Sequence, residues 1–107
     1  MEKINDLVNT LGIRATYCGY HYLCYALELC RRDENYILYV WKYLYTDIAE
    51  HFKKSRSSVE HALRTVVTFC WYNGNREFLN AIAGYTLDTR PTVGEFIAIL
   101  HYYLERS

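Results

Sequence analysis

The residues best suited to a chemical task lie between positions 51 and 65, where basic and hydroxyl side chains follow one another closely. Lysine and arginine bind phosphate oxygens, and serine, threonine and histidine exchange hydrogen bonds with phosphates and base edges. Between His51 and Arg64 a single acidic side chain, Glu60, interrupts the series. The candidate contact residues are Lys53, Lys54, Arg56, Ser57, Ser58, Glu60, His61, Arg64 and Thr65. These residue types predict a surface that binds double-stranded DNA.

Most of these side chains would lie on one helix, from about Ser57 to about Tyr72. Its apolar residues repeat at helical spacing, which gathers them on one half of a helix that turns by about 100° per residue. They are Val59, Ala62, Leu63, Val66, Val67, Cys70 and Trp71. We expect the opposite, polar half to read the major groove. The period alone fits an ordinary solvated helix face equally well.

The segment from Ile48 to Arg64 has the spacing of a helix-turn-helix, in which two short helices pack across a tight turn. Ala49 is small enough to let the two helices approach closely. Ile48 and Phe52 would pack beneath the second helix. The spacing is a moderately specific signal, and it places the basic residues at the start of the second helix.

The turn between the two helices departs from the commonest pattern. The position that glycine often occupies is Lys53 here. A left-handed backbone at a lysine costs up to about 1 to 2 kcal/mol. Ser55 or Ser57 is predicted to cap the second helix, because a serine side chain accepts a hydrogen bond from an unpaired backbone N–H group.

Helical patterns also account for the rest of the chain. The predicted helices are an amphipathic one from Ile4 to Leu11, ended by Gly12; a largely buried, central one from Tyr20 to Arg31; a short one from Tyr36 to Tyr43; one from Arg76 to Ala83, ended by Gly84; and a final one capped by Thr92. The expected fold is a single all-α domain over residues 1–107. It is a compact bundle of six to seven helices of the winged-helix-like superfamily, without a clear wing.

The net charge and the hydrophobic pattern bear on whether the protein binds nucleic acid or membranes. The formal net charge is zero, which argues against a strong non-specific grip on polyanions, although a local basic patch survives around Lys53. No apolar run reaches the roughly 18 to 20 residues of a membrane helix, and the first residues lack the layout of a secretion signal. We therefore expect a cytoplasmic protein that does not bind membranes.

The cysteines and histidines do not predict a reactive centre. The four cysteines, at positions 18, 24, 30 and 70, lack the spacing of zinc sites and redox pairs, so Cys24, Cys30 and Cys70 are predicted to be buried. The four histidines have no carboxylate at ligand or triad spacing, and His21 and His101 are expected at the rim or at the edge of the core. No Gly-rich phosphate loop is present. The chain is therefore expected to be no enzyme and to need no cofactor or metal.

Twelve tyrosines contribute to an aromatic content of 17%. Many lie in the stretch from Tyr17 to Tyr25 and at Tyr36, Tyr39, Tyr43 and Tyr45. A stacking platform for nucleic acid or a partner-binding surface is one interpretation. We favour positions in the core and at its edge, because these residues fall within helices that must pack somewhere.

Several short motifs, in order along almost the whole chain, resemble one family. They are Gly12-Ile13, Gly19-Tyr20, Tyr22-Leu23, Tyr45-Thr46-Asp47-Ile48-Ala49 through Arg64, Trp71-Tyr72-Asn73-Gly74-Asn75, Gly84-Tyr85-Thr86, Pro91-Thr92 and Glu95-Phe96-Ile97-Ala98. The sequence resembles the C-terminal DNA-binding domain of the stage-zero sporulation regulator, protein A. The resemblance implies a six-helix bundle that binds promoter DNA and activates or represses transcription in endospore-forming bacteria.

The resemblance also implies which residues contact DNA. The family's contacts fall on Ser58, Glu60, His61, Arg64 and Thr65. At the positions of Ser58 and His61, the resemblance implies arginine in the sporulation regulator. The two replacements predict a different target sequence, because bidentate arginine contacts to guanine are the main direct readout. The family joins this domain to a phosphoacceptor receiver domain. Nothing in the 107 residues resembles one, so a stand-alone relative or an excised domain is expected.

Two classes of function follow from the sequence. The first is a sequence-specific regulator of transcription, with double-stranded DNA, RNA polymerase and a second copy on DNA as partners. The second is a protein-interaction module that kept the fold and lost specific DNA binding with the two arginines. The retained basic residues favour the first class, and the zero net charge favours the second.

Overall fold

Seven α-helices and one π-helical turn follow one another along residues 2–106, the part of the chain that the computed structural model describes. The α-helices are α1 (Glu2–Thr10), α2 (Cys18–Arg32), α3 (Asn35–Leu38), α4 (Tyr45–Phe52), α5 (Arg56–Asn73), α6 (Arg76–Ala83) and α7 (Val93–Arg106). The π-turn, Val40–Leu44, connects α3 to α4. Residues 2–106 form no strand, so the predicted all-α bundle is confirmed and no β-wing accompanies its helix-turn-helix.

Helix α2 is the centre of the bundle, as its apolar sequence predicts. It contacts α1, α3, α4, α5 and α7. Most of its residues are buried, including Leu23, Ala26, Leu27 and Cys30. Each large apolar side chain that is fully buried contributes roughly 1.5 to 3 kcal/mol, so the packing around α2 stabilises every element that carries the candidate site.

Three helices have capping residues at the ends that the sequence predicts. Gly12 and Gly84 have φ angles of +87° and +82°, in the left-handed region that glycine adopts without a steric penalty. The hydroxyl of Thr92 accepts a hydrogen bond from the backbone N–H of Glu95, at 3.1 Å, and so caps α7. These caps fix the lengths of α1, α6 and α7.

Helices α2 and α5 approach each other closely at Gly19. A Cβ atom at this position would lie 2.2 Å from Cγ2 of Val66 and 2.7 Å from the carbonyl oxygen of Ala62. Only glycine therefore lets the backbone of α2 rest directly on the inner face of α5.

The segment between α2 and α4 differs from the single short helix predicted over residues 36–43. Tyr39 leaves the helical region, with φ −127° and ψ 59°. Its carbonyl oxygen accepts hydrogen bonds from the N–H groups of Tyr43 and Leu44, at 2.9 and 3.2 Å. The second bond spans five residues and produces the π-turn, so the predicted helix is wrong as one continuous element.

Buried and exposed side chains correct two further expectations. His101 is 1% exposed, so its predicted place at the core edge is wrong, and its Nε2 atom lies 3.1 Å from Oε1 of Glu34. Among the tyrosines, Tyr20, Tyr22 and Tyr45 are buried as expected, whereas Tyr17, Tyr39 and Tyr43 are exposed. Cys24, Cys30 and Cys70 are buried, which confirms the prediction for the cysteines.

No helix within residues 2–106 combines the length and the apolar character that crossing a membrane requires.

Candidate nucleic-acid interface

Helices α4 and α5 form the predicted helix-turn-helix, and Lys53 makes the turn between them. Its backbone is left-handed, with φ 57° and ψ 51°, as expected for this departure from glycine. The N–H of Lys54 donates to the carbonyl oxygen of Ala49 at 2.9 Å, which closes the end of α4. The turn between α4 and α5 is therefore three residues long, and both of its lysines, Lys53 and Lys54, are exposed.

Ser55, and not Ser57, caps the second helix. Its hydroxyl oxygen accepts a hydrogen bond from the N–H of Ser58 at 3.1 Å, and the same hydroxyl donates to Oγ of Ser58 at 3.0 Å. Helix α5 begins at Arg56 and ends at Asn73, one residue beyond the predicted helix at each end. The first N–H groups of a helix have no partner within it, so this end of α5 attracts anions.

The outer face of α5 is the polar one that the period predicts. Ser57, Ser58, His61, Arg64 and Thr65 are exposed, whereas the apolar residues of the same helix face the core. The hydroxyl of Thr65 donates to the carbonyl oxygen of His61 at 2.9 Å, so its lone pairs remain available to an external donor. The structure therefore brings the candidate base-reading side chains onto one continuous surface.

Arg64 and Glu60 form an ion pair one turn apart on this surface, with 2.8 Å between Nη2 and Oε2. The carboxylate orients the guanidinium and also neutralises part of its charge. Tyr45, at the start of α4, lines a cleft with the pair, and burial, together with the nearby charge of Glu60, raises the pKa of its phenol to about 12. The phenol thus stays neutral beside the pair.

The basic residues Lys53, Lys54 and Arg56 gather at the N-terminal end of α5, and all three are exposed. The guanidinium of Arg56 lies 5.0 Å from the ring centre of Trp41 in the π-turn, a cation–π arrangement. Trp41 therefore holds one of the basic side chains in place. Its proximity to α5 could not be read from the sequence, because it depends on how the π-turn directs the chain.

Arg90 also flanks the outer face of α5, and the sequence did not predict it there. Arg90 lies in the loop between α6 and α7, and its guanidinium donates to the hydroxyl of Thr68 at 2.8 Å. The same loop lines a cleft with Glu60 and Arg64. No local pattern could indicate this contact, since 22 residues separate the two partners.

The loop between α1 and α2 flanks the opposite side of α5. Thr16 and Tyr17 line a cleft of about 550 Å³ together with His61 and Thr65. Two loops thus border the polar face of α5, one on each side. His51, in contrast, stacks on Tyr25 with 4.0 Å between ring centres, so it does not join the candidate surface.

A comparison with known protein families agrees with this geometry. The family described as "Sporulation initiation factor Spo0A C terminal" matches residues 4–104 of the 107 residues. The matched segment includes the whole of α4, the turn and α5, and also both flanking loops.

Proposed function

Because this chain belongs to the family of the C-terminal domain of sporulation initiation factor Spo0A, we propose that it regulates transcription by reading a specific DNA sequence with α5. The family is the DNA-binding domain of a sporulation transcription factor and is not an enzyme family. The observation that carries the proposal is the exposed polar face of α5, bordered by basic residues at the helix N-terminus.

In the proposed complex, α5 lies in the major groove and two groups of residues have different tasks. Lys53, Lys54 and Arg56 bind phosphates, because their charges lie at the turn and at the anion-attracting end of α5. The N–H groups around Ser57 add to this phosphate contact. Phosphate contacts position the domain on the duplex but carry no sequence information.

Base edges are read farther along the same face. Arg64, oriented by Glu60, is placed to donate two hydrogen bonds to a guanine, and Glu60 can accept from a cytosine amino group. Ser58, His61 and Thr65 offer shorter donors and acceptors. Since Ser58 and His61 replace the arginines that the family resemblance implies, we propose a base preference different from that of the family.

The test compares two doubly substituted proteins of equal charge in DNA titrations at several salt concentrations. Lys53→Glu with Lys54→Glu should weaken binding to all duplexes and flatten the salt dependence by about one unit per lost phosphate contact. Lys3→Glu with Arg32→Glu changes two exposed basic residues on α1 and α2 and should leave the slope unchanged. Equal loss in both proteins would mean that only net charge matters and would contradict the proposal.

One observation favours the second candidate, a protein-interaction module. Leu38, Tyr39, Trp41 and Tyr43 expose between 47% and 72% of their surface around the π-turn, an unusual concentration of exposed large apolar residues. RNA polymerase is the proposed partner for this patch. Selection of duplexes from a random pool separates the candidates: a regulator enriches one sequence, whereas a pure interaction module enriches none.

A further inference from the structure

Three side chains with metal-binding atoms converge at the C-terminal half of α7, and none of them belongs to the helix-turn-helix. They are His101 and Glu105 on α7, and Glu34 just before α3. One potential ligand atom from each lies within 4.8 Å of the other two. His101 and Glu105 are four residues apart, a spacing that puts both side chains on the same side of a helix, where they can share one ion. The expectation that no histidine has a carboxylate at ligand spacing is therefore wrong for His101.

The charges of this cluster call for a cation. Two carboxylates approach each other and the edge of a single imidazole, and like charges at such distances repel unless a positive charge lies between them. The next residue along the helix, Arg106, does not supply it, because its guanidinium donates to the carbonyl oxygen of Ile82 at 2.8 Å. A metal ion between the three ligand atoms would supply this positive charge.

Burial gives the imidazole a fixed direction. His101 is the buried polar side chain of the described core, and its Nε2 atom faces Oε1 of Glu34 at 3.1 Å. Glu34 and Glu105 are exposed, so their carboxylates can move while the imidazole stays in place. One rigid nitrogen ligand and two adjustable oxygen ligands can contract around an ion whose ligand bonds are about 2.0 to 2.2 Å long.

We propose that Glu34, His101 and Glu105 bind one divalent transition-metal ion of the Zn²⁺ class. Mixed imidazole and carboxylate ligands suit Zn²⁺, whereas Mg²⁺ and Ca²⁺ prefer oxygen ligands alone. The fourth coordination position faces solvent, on the side of the two exposed carboxylates. The ion joins α7 to the α2–α3 connection, across 67 residues of sequence, and therefore stabilises the folded domain by linkage.

Thermal unfolding and calorimetric titration with ZnCl₂ test the site on the full chain after removal of metals with EDTA. All proteins carry Cys18→Ser, because the exposed Cys18 thiol could bind zinc by itself. We expect binding of one ion per chain, a rise in melting temperature that saturates with Zn²⁺, and no comparable rise with Mg²⁺. Glu34→Gln and Glu105→Gln should each weaken Zn²⁺ binding by at least about tenfold.

Glu77→Gln is the matched control, since it removes an exposed carboxylate from α6, and it should leave Zn²⁺ affinity unchanged. Glu105→Gln also serves if Glu34→Gln disturbs the hydrogen bond to His101 and destabilises the fold. Unchanged Zn²⁺ affinity in the protein with both Gln substitutions would overturn the proposal. The absence of any zinc-induced stabilisation in the Cys18→Ser parent would overturn it as well.

Discussion

The guanidinium of Arg64 lies 2.8 Å from the carboxylate of Glu60, and the two side chains share the outer face of α5. Both remain partly exposed, so the pair contributes little to stability, about 0.3 to 0.5 kcal/mol. Its value lies in orientation, because a guanidinium held in one plane recognises a base edge more selectively than a free one. In the proposed complex, the pair would couple selectivity to a reduction of positive charge on the candidate surface.

The substitution Glu60→Gln should therefore raise the affinity for DNA and lower the selectivity between base pairs. Removing one negative charge tightens binding to random duplexes, while the less restrained Arg64 discriminates less between base pairs. The dissociation constants for the selected duplex and for a random duplex measure both effects. Glu77→Gln, on α6, makes the same charge change away from α5 and should alter neither. A parallel loss of affinity for both duplexes in Glu60→Gln would contradict the orienting role.

His61 lies near the middle of the outer face of α5, at a position where the family resemblance implies arginine. His61→Arg should shift the selected sequence toward that of the family, because a good bidentate contact to guanine discriminates by about 1 to 3 kcal/mol. Binding-site selection before and after the substitution measures the shift. His21→Arg adds the same charge at an exposed position of α2 and should leave the selected sequence unchanged. An identical sequence from both variants would remove His61 from the reading surface.

Lys53 combines a strained backbone with a charge on the candidate surface. Lys53→Gly should stabilise the domain by about 1 kcal/mol, since glycine adopts the left-handed conformation without the steric cost. The same change should weaken DNA binding by the loss of one phosphate contact. Lys54→Gly removes an equal charge from a neighbour without a left-handed backbone, so it should weaken binding without stabilising. Chemical denaturation and salt-dependent titration of the two variants check the prediction, and lower stability in Lys53→Gly would refute it.

The buried cysteines make the domain sensitive to alkali. Burial raises the pKa of the Cys24 and Cys70 thiols to about 11 and that of Cys30 to about 12, from an ordinary 9.0. Each thiol keeps its proton longer in the folded state. Their contribution to stability is complete below pH 9.0 and is lost as the pH rises toward 11 to 12.

Urea denaturation at increasing pH should show a loss of about 1 kcal/mol per buried thiol for each pH unit above the ordinary thiol pKa. Cys30→Ala should lessen the slope, whereas Cys18→Ser should not, because Cys18 is exposed. In the native protein at neutral pH, a thiol reagent should modify Cys18 alone. Rapid modification of several thiols would show that the core is more open than the structure indicates.

Local chemistry explains why several elements could be predicted from the sequence. Helix α6 occupies the predicted range, Arg76–Ala83, because Asn75 caps its start and Gly84 ends it. The two faces of α5 follow from the helical period, since Val66 is buried and Thr65 is exposed as their positions require. Signals within one or two turns of a residue were sufficient in these cases.

Contacts between distant residues set the limit of such reasoning. The neighbours His101 and Glu34 are 67 residues apart, and no spacing rule connects an imidazole near the end of the chain with a carboxylate in its first third. Arg90 reaches α5 only because the α6–α7 loop passes beside it. Tyr39, in turn, lies in a stretch that the sequence predicts to be helical, and no local signal indicates that its backbone leaves helical geometry.

The contact of Gly19 with Val66 has a consequence for how the domain meets DNA. With the backbone of α2 resting on the inner face of α5, the proposed reading helix α5 cannot tilt or slide without disrupting the core. Little conformational entropy is then lost on association, which favours affinity through preorganisation. We therefore expect the duplex, and not the protein, to change shape when the two do not fit. DNA sequences that bend or twist easily should then bind more tightly, even when they differ only at base pairs that the protein does not contact.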